Sequence, residues 1–147
     1  MTIAKFLAIL ASVSCATILL SSTGCLEPET DPVFAKVQDQ VDAFSAGDVQ
    51  RLVDNVSEDF KWYSLTADTL LVEVEGRDAF RENMEAYFDS RKPVSSTITN
   101  YVIHGNRMSF HESVSHMGDD GDSVSSSALG IYQVDNGEIT RAWYFID

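Results

Sequence analysis

The chain of 147 residues is long enough for one hydrophobic core and too short for two domains of ordinary size. Its 44% hydrophobic and 22% charged residues exclude a disordered chain. The 23 acidic and 10 basic side chains give a formal net charge of −13, which argues against binding to nucleic acid or to an anionic membrane surface.

The first 24 residues have the composition of an export signal. Lys5 is followed by an apolar run over residues 6–20 and then by the letters SSTGC, which end at Cys25. The run is short for a membrane-spanning helix, and small residues before a cleavage point are typical of a secretory signal. Residues 1–24 are therefore predicted to be a signal peptide.

A cysteine directly after the predicted cleavage point resembles the bacterial lipoprotein signal. The resemblance implies that Cys25 becomes the lipidated N-terminus and that Leu26 directs the protein to the outer membrane, in a cell that has one. Ser22 stands where that signal usually has leucine, so an ordinary secretory signal with a free Cys25 is the alternative. Residues 25–32 would form a polar tether, and Cys15 lies in the signal, which leaves no disulfide pair in the mature domain.

Two helices are predicted next. Asp31-Pro32 is typical of an N-cap followed by the first helical turn. Gly47 ends this helix, and Asp48 can cap a second, short one. The apolar stripe of the first helix is formed by Val33, Phe34, Val37, Val41 and Phe44, and that of the second by Val49, Leu52, Val53 and Val56.

Strands fill most of the remaining chain. One is predicted at 60–65, the letters TLLVEVEG predict another, and helical spacing returns from 78 to 88. Runs rich in β-branched and aromatic residues then predict strands at 97–104, 107–117, 123–134 and 138–146, separated by HGN, GDDGD and DNG turns. This order predicts an α+β fold in which helices close one side of a curved antiparallel sheet and a conical pocket lies between them.

Three segments are similar to one known family. AFSAGDVQRLVDNVSEDFKW, VEGRDAFRENMEAYF and VDNGEITRAWYFID resemble the SnoaL-like polyketide cyclase and ketosteroid isomerase family of the nuclear transport factor 2-like superfamily. The resemblance covers residues 33–147 and implies a cone-shaped α+β barrel, with three N-terminal helices packed on a curved antiparallel sheet. The superfamily includes isomerases, dehydratases, cyclases, epoxide hydrolases and non-catalytic domains, so the fold does not decide the activity.

The resemblance allows the isomerase reaction to be tested residue by residue. Ketosteroid isomerisation needs a carboxylate base and an oxyanion hole made of a tyrosine and a protonated aspartate. Aligned with the family, the base falls at Ser64, the tyrosine at Gln40 and the aspartate at Gly130. None of the three positions carries the required group, which argues against ketosteroid isomerase activity.

Two other residues are candidates for chemistry. Glu112 and His116 share the apolar face of the predicted strand 107–117, where Glu112 could serve as an acid or base. Alternatively, both lie at a wet rim or an oligomer surface. We favour the rim, because strand parity alone does not establish a buried carboxylate.

Binding residues and partners follow from the same family alignment. Trp62, Ser64 and Tyr144 match pocket-lining positions, whereas Lys61 and Tyr63 point away from the pocket. The resemblance also suggests a homodimer through the outer sheet face, with Ile103, Ile131 and Trp143 as candidates. His111 and His116 lie on opposite faces of one strand, so no metal site is predicted, and no nucleotide or phosphate motif predicts a cofactor.

Three functions remain open. The first is an exported, lipid-anchored domain that binds a small apolar or amphipathic molecule without an assigned reaction. The second is a pocket enzyme, an isomerase, dehydratase, cyclase or hydrolase, that uses Glu112 or His116. The third is a non-catalytic protein-interaction module held at the membrane.

Overall fold

The computed structural model describes residues 30–90, 94–118 and 120–145. The predicted signal peptide, the predicted lipidation site Cys25 and most of the predicted tether lie outside these residues. The elements, in chain order, are α1 (Pro32–Ala46), α2 (Val49–Asp54), β1 (Val56–Thr66), β2 (Thr69–Glu75), α3 (Arg77–Ser90), β3 (Val94–His104), β4 (Arg107–Met117), β5 (Ser123–Asp135) and β6 (Glu138–Phe145).

The helix ends are set by the predicted capping residues. The Asp31 carboxylate accepts a hydrogen bond of 2.8 Å from the backbone N–H of Val33, so the first orphan donors of α1 are satisfied. Gly47 ends α1 in the left-handed conformation with φ of 66°. The Asp48 carboxylate accepts from the N–H of Arg51 at 3.0 Å and begins α2 directly afterwards. The two helices are therefore joined by a sharp, locally encoded corner.

Six strands form one sheet in the order β2-β1-β6-β5-β4-β3. Four neighbouring pairs are antiparallel, but β1 and β6 are parallel, which corrects the expectation of a purely antiparallel sheet. The sheet is also open rather than closed, since the described parts of β2 and β3 lie at its two edges. Turn residues in the sequence predict hairpins between successive strands. β1 and β6 are far apart in the sequence, so no local pattern predicts that they pair.

The three helices pack on one face of this curved sheet, which we call the inner face. Val37 of α1, Leu52 of α2, Phe80 of α3 and Phe110 of β4 are all buried in the core between the two layers. Val56, predicted on α2, begins β1 instead and is fully buried. In the described part of the chain, no helix is long and apolar enough to cross a membrane.

Candidate functional site

A cavity of about 380 Å³ lies between the helices and the inner face of the sheet. Its wall is mostly apolar, as is typical of small-molecule sites. Apolar contributions come from Val41, Phe44, Leu52, Phe60, Phe80, Met84, Val114, Ala128 and Ala142. Polar groups come from Gln40 on α1, from Tyr87 on α3, and from Trp62, Glu112, Ser126, Ser127, Tyr132 and Tyr144 on the sheet.

Glu112 is the charged residue of this wall. It lies at the middle of β4 and is only 7% exposed, because alternation along the strand places it on the same face as the buried Met108 and Phe110. Its Oε1 accepts from the Ser96 hydroxyl at 2.5 Å and its Oε2 from the Tyr144 hydroxyl at 2.6 Å. The preferred interpretation from sequence, a wet rim, is therefore wrong for Glu112.

Two tyrosines extend the hydrogen-bond chain away from Glu112. The Tyr132 and Tyr144 hydroxyl oxygens are 2.8 Å apart. Because the Tyr144 hydroxyl donates its one hydrogen to Glu112, its oxygen accepts from Tyr132. Burial, followed by the nearby Glu112 carboxylate, raises the pKa of both phenols well above the usual value of 10. Both tyrosines are thus protonated donors at neutral pH.

Two cavity-lining side chains have a buried polar atom with no hydrogen-bond partner among the described residues. They are Oε1 of Gln40, which is an acceptor, and Nε1 of Trp62, which is a donor. Gln40 is only 4% exposed, and the Trp62 ring packs edge-on against Tyr144 with ring centroids 5.8 Å apart. Both atoms are therefore buried polar groups that the surrounding described residues leave unsatisfied.

The other predicted site residues lie elsewhere. Ser64 is buried on the inner face, but it is not among the residues that line the cavity, and its hydroxyl donates to Glu73 of β2. His116 shares the face of Glu112, as predicted, but it lies four residue pairs further along β4, opposite Val94 and Val124, and does not line the cavity. Trp62 and Tyr144 are at the cavity, so two of the three predicted pocket residues line it.

The packing around Gly130, the position that the family alignment gives to the isomerase aspartate, leaves no room for a side chain. A Cβ atom there would lie 2.8 Å from Cε2 and Cζ of Phe110, closer than such atoms approach in proteins. The Phe110 ring fills the space and packs edge-on against Tyr132, with centroids 5.1 Å apart. An aspartate therefore does not fit at this position without moving the aromatic cluster.

The opposite, outer face of the sheet carries an apolar surface. We define the outer apolar face by strand pairing as Tyr63, Leu65, Leu70, Val72, Leu129, Ile131, Trp143 and Phe145. Tyr63 stacks on Trp143 at 5.7 Å with the ring planes 10° apart. Ile103 was expected on this face, but it pairs with the buried Met108 and packs against the core, so that assignment was wrong.

Sequence reasoning missed Tyr132 and Ser96 as members of the site. Tyr132 could have been found by parity, since it lies two residues after Gly130 on the same face of β5. Ser96 could not, because its contact with Glu112 depends on the register of β3 against β4. No group of three or more His, Cys, Asp or Glu side chains that could hold a metal occurs in the described ranges.

The comparisons with known proteins agree on the fold. A family model described as SnoaL-like domain matches residues 37–142. An LEH-like epoxide hydrolase from M. tuberculosis superposes with a TM-score of 0.67 at 16% identity, covering 82% of this chain and 86% of that one. A protein from Jannaschia sp. CCS1 named as a SnoaL-like polyketide cyclase gives 0.65 at 13% identity, with 79% and 85% covered.

A third similar structure contains an organic compound. TerC co-crystallized with polyporic acid superposes with a TM-score of 0.65 at 11% identity, covering 80% of this chain and 92% of that one. The curated proteins contain no match to the chain. At these identities the structural likeness establishes the fold alone.

Proposed function

The chain belongs to the SnoaL-like domain family, and on this premise we propose that it binds a small apolar or amphipathic molecule in the cavity between its helices and its sheet. The observation that carries the proposal is the apolar cavity of about 380 Å³ with Glu112, Tyr132 and Tyr144 joined on one wall. The similar protein TerC was crystallized with polyporic acid, which supports a binding role for this fold.

A pocket enzyme is the second candidate, and the position of Glu112 favours it. A carboxylate that lines an apolar cavity and is oriented by Ser96 and Tyr144 has the setting of a general acid or base. The reaction would be an isomerisation, dehydration, cyclisation or hydrolysis. His116 has no part in this candidate, because it does not line the cavity.

A thermal-shift screen against steroids, terpenoids, polyketides and fatty acids tests both candidates. We expect members of one class to raise the melting temperature of the protein, because a ligand that binds only the folded state stabilises it. Glu112→Gln keeps the shape of the side chain and removes its acid–base function. It should retain ligand affinity in either case and abolish turnover if the protein is an enzyme. Product formation is followed by mass spectrometry in the same samples.

The screen also has an outcome that would reject both candidates. If no class shifts the melting temperature and Trp62 fluorescence is unchanged throughout, the cavity is not a ligand site. The third alternative, a non-catalytic protein-interaction module, would then be the better proposal.

We also propose that the protein is exported and anchored to the cell envelope by a lipid on Cys25. The support is the sequence of residues 1–25, with its short apolar run and small residues before cysteine. Cys25→Ala should abolish labelling with radioactive palmitate and release the protein from the membrane fraction. Membrane retention of Cys25→Ala at the wild-type level would refute the anchor.

A further inference from the structure

Glu112 brings a negative charge to the cavity wall, and no basic side chain of the described residues pairs with it. None of the lining residues is Lys, Arg or His, and none of the ion pairs found within 30–90, 94–118 and 120–145 involves Glu112. His116, on the same face of β4, does not line the cavity. Because a buried charge is costly without an opposite charge, the cavity has a place for a cation.

The carboxylate of Glu112 can accept further hydrogen bonds. Its two oxygens each accept one from the protein, from the hydroxyls of Ser96 and Tyr144. A carboxylate has about four acceptor positions, so about two remain. The side chain extends from the inner face of the sheet toward the helices, and the cavity that it lines occupies the space between these layers. A donor group of a ligand in the cavity can therefore meet this carboxylate.

The other polar groups of the wall are neutral. They are the amide of Gln40, the indole N–H of Trp62 and the hydroxyls of Tyr87, Ser126, Ser127, Tyr132 and Tyr144. Such groups form hydrogen bonds with neutral or charged ligands alike, but none of them supplies a full charge. The sign of the charge that the wall presents is therefore the sign of Glu112.

Aromatic side chains enclose the cavity from both layers. Phe44, Phe80 and Tyr87 come from the helices, and Trp62, Tyr132 and Tyr144 come from the sheet. Aromatic rings attract cations through their electron-rich faces and also pack against apolar groups. The formal net charge of −13 attracts cations to the protein as a whole.

We propose that the cavity selects amphipathic amines, with the ammonium group at Glu112 and the apolar body among the aromatic rings. A hydrogen bond between an ammonium group and a carboxylate is stronger than one between neutral groups, and the ligand charge balances that of Glu112. The inference rests on the proposed binding function and names the class of ligand for that site.

Three two-ring compounds of similar shape test this selection on the purified protein at neutral pH. They are 2-naphthylmethylamine, which is a cation, 2-naphthylmethanol, which is neutral, and the anion 2-naphthoate. Calorimetric titration should show the amine binding about tenfold more tightly than the alcohol, the gain expected for one charge-assisted hydrogen bond. The anion should bind more weakly than the alcohol, because Glu112 repels it.

Glu112→Gln locates the selection at the carboxylate. The variant keeps the shape of the side chain and removes its charge, so it should bind the alcohol as the wild type does and lose the preference for the amine. Glu82→Gln is the matched control, because Glu82 is exposed on α3 and does not line the cavity, and the change in net charge is the same. This control should keep the preference.

Salt separates the buried contact from general attraction by an acidic protein. At about 1 M salt, interactions between exposed charges are screened, whereas a buried pair is screened much less. The preference for the amine should therefore persist within about threefold at this concentration. A preference that disappears in salt would place its origin on the surface and overturn the inference, and this measurement decides even if Glu112→Gln does not fold.

The outcomes separate this inference from the function beneath it. Equal binding of the three compounds, or tightest binding of the alcohol or of 2-naphthoate, overturns the selection and leaves the binding function intact. Binding of none of the three overturns the inference alone if the thermal-shift screen finds another ligand. If that screen is empty as well, the binding function fails together with the inference.

Discussion

Gly130 shows how one residue without a side chain arranges the site. It pairs with Tyr144 on β6 and with Phe110 on β4, so it lies under both aromatic rings. A Cβ atom at this position would lie 2.8 Å from the Phe110 ring and 3.3 Å from Cε1 of Tyr144. The missing side chain thus allows Phe110 to press against Tyr132, and Tyr132 to reach the hydroxyl of Tyr144.

Gly130→Ala should therefore destabilise the protein. The methyl group has to displace the Phe110 ring in a packed core, and overpacking of this kind costs about 1–3 kcal/mol. Urea denaturation followed by circular dichroism measures the loss in the free energy of unfolding.

The double variant Gly130→Ala/Phe110→Leu provides the matched test of the cause. Leucine is smaller than phenylalanine, so the double variant should lose less stability than the sum of the two single variants, because residues in contact couple. A neutral Gly130→Ala, or strictly additive losses, would contradict the steric explanation.

At the scale of the element, local signals predicted the helices and turns well. Asp31 and Asp48 cap α1 and α2 through their side chains, and Gly47 ends α1 because glycine readily adopts the left-handed conformation. All three predictions are confirmed. The strand at 107–117 was predicted with its observed bounds. By contrast, β1 begins at Val56, four residues before the predicted start, because Val56 fits the apolar stripe of a helix as well as a buried strand.

The candidate site depends more on register than on local pattern. Strand parity correctly grouped Glu112 with the apolar residues of β4, but parity cannot tell a cavity wall from a rim. The buried position of Glu112 in the cavity wall depends on its hydrogen bonds from Tyr144 on β6 and Ser96 on β3. Those contacts join residues 32 and 16 positions from Glu112, and no local signal in the sequence encodes them.

A polar cluster links α1 to α2 and to Asn55, the residue that precedes β1. Asp39 of α1 accepts from Nε of Arg51 at 3.0 Å and from Nδ2 of Asn55 at 2.5 Å, and Asn55 in turn accepts from Nζ of Lys36 at 2.8 Å. The hydrogen bond from Arg51 is the largest cause that holds the pKa of Asp39 below its ordinary value of 3.8, against the opposing effect of burial. The ionised carboxylate therefore stabilises the folded state.

The contribution of Asp39 should depend on pH in a defined direction. A carboxyl whose pKa is lower in the folded than in the unfolded chain stabilises the fold above its unfolded pKa, near 3.8, and this stabilisation is lost as the pH falls through the folded pKa. Asp39→Asn should lose about 1 kcal/mol of unfolding free energy at pH 7, a modest value because the side chain is 35% exposed.

Asp42→Asn is the control for Asp39→Asn. It makes the same change in charge on the exposed side of the same helix and should change stability by less than about 0.5 kcal/mol. As the pH falls below 3.8 and through the folded pKa of Asp39, the difference between the wild type and Asp39→Asn should shrink, because the wild type then also loses the charge. A difference that stays constant from about pH 7 to about pH 2.5 would contradict the assigned role.

For the molecule as a whole, the outer apolar face is the surface that the helices leave uncovered. Leu70 is 54% exposed, Val72 55% and Leu129 36%, and they flank the stacked pair Tyr63 and Trp143. A contiguous apolar surface of this kind is unusual on a monomer and is typical of an interface. Ion pairs border it on one side, Lys61 with Glu75 and Arg141 with Asp59.

We expect this face to mediate a homodimer, because one self-complementary patch serves both copies in a two-fold arrangement. Wild-type protein should sediment as a dimer, and Val72→Glu should shift it to the monomer, since the substitution places a charge within the buried patch on both copies. Val124→Glu is the control, as Val124 is 45% exposed but pairs with His116 on the inner face. A monomeric wild type at all concentrations, or equal dissociation by Val124→Glu, would show that the outer apolar face is not the interface. A dimer formed on the outer apolar face would leave the inner face, and therefore the cavity, free to bind ligand in each copy.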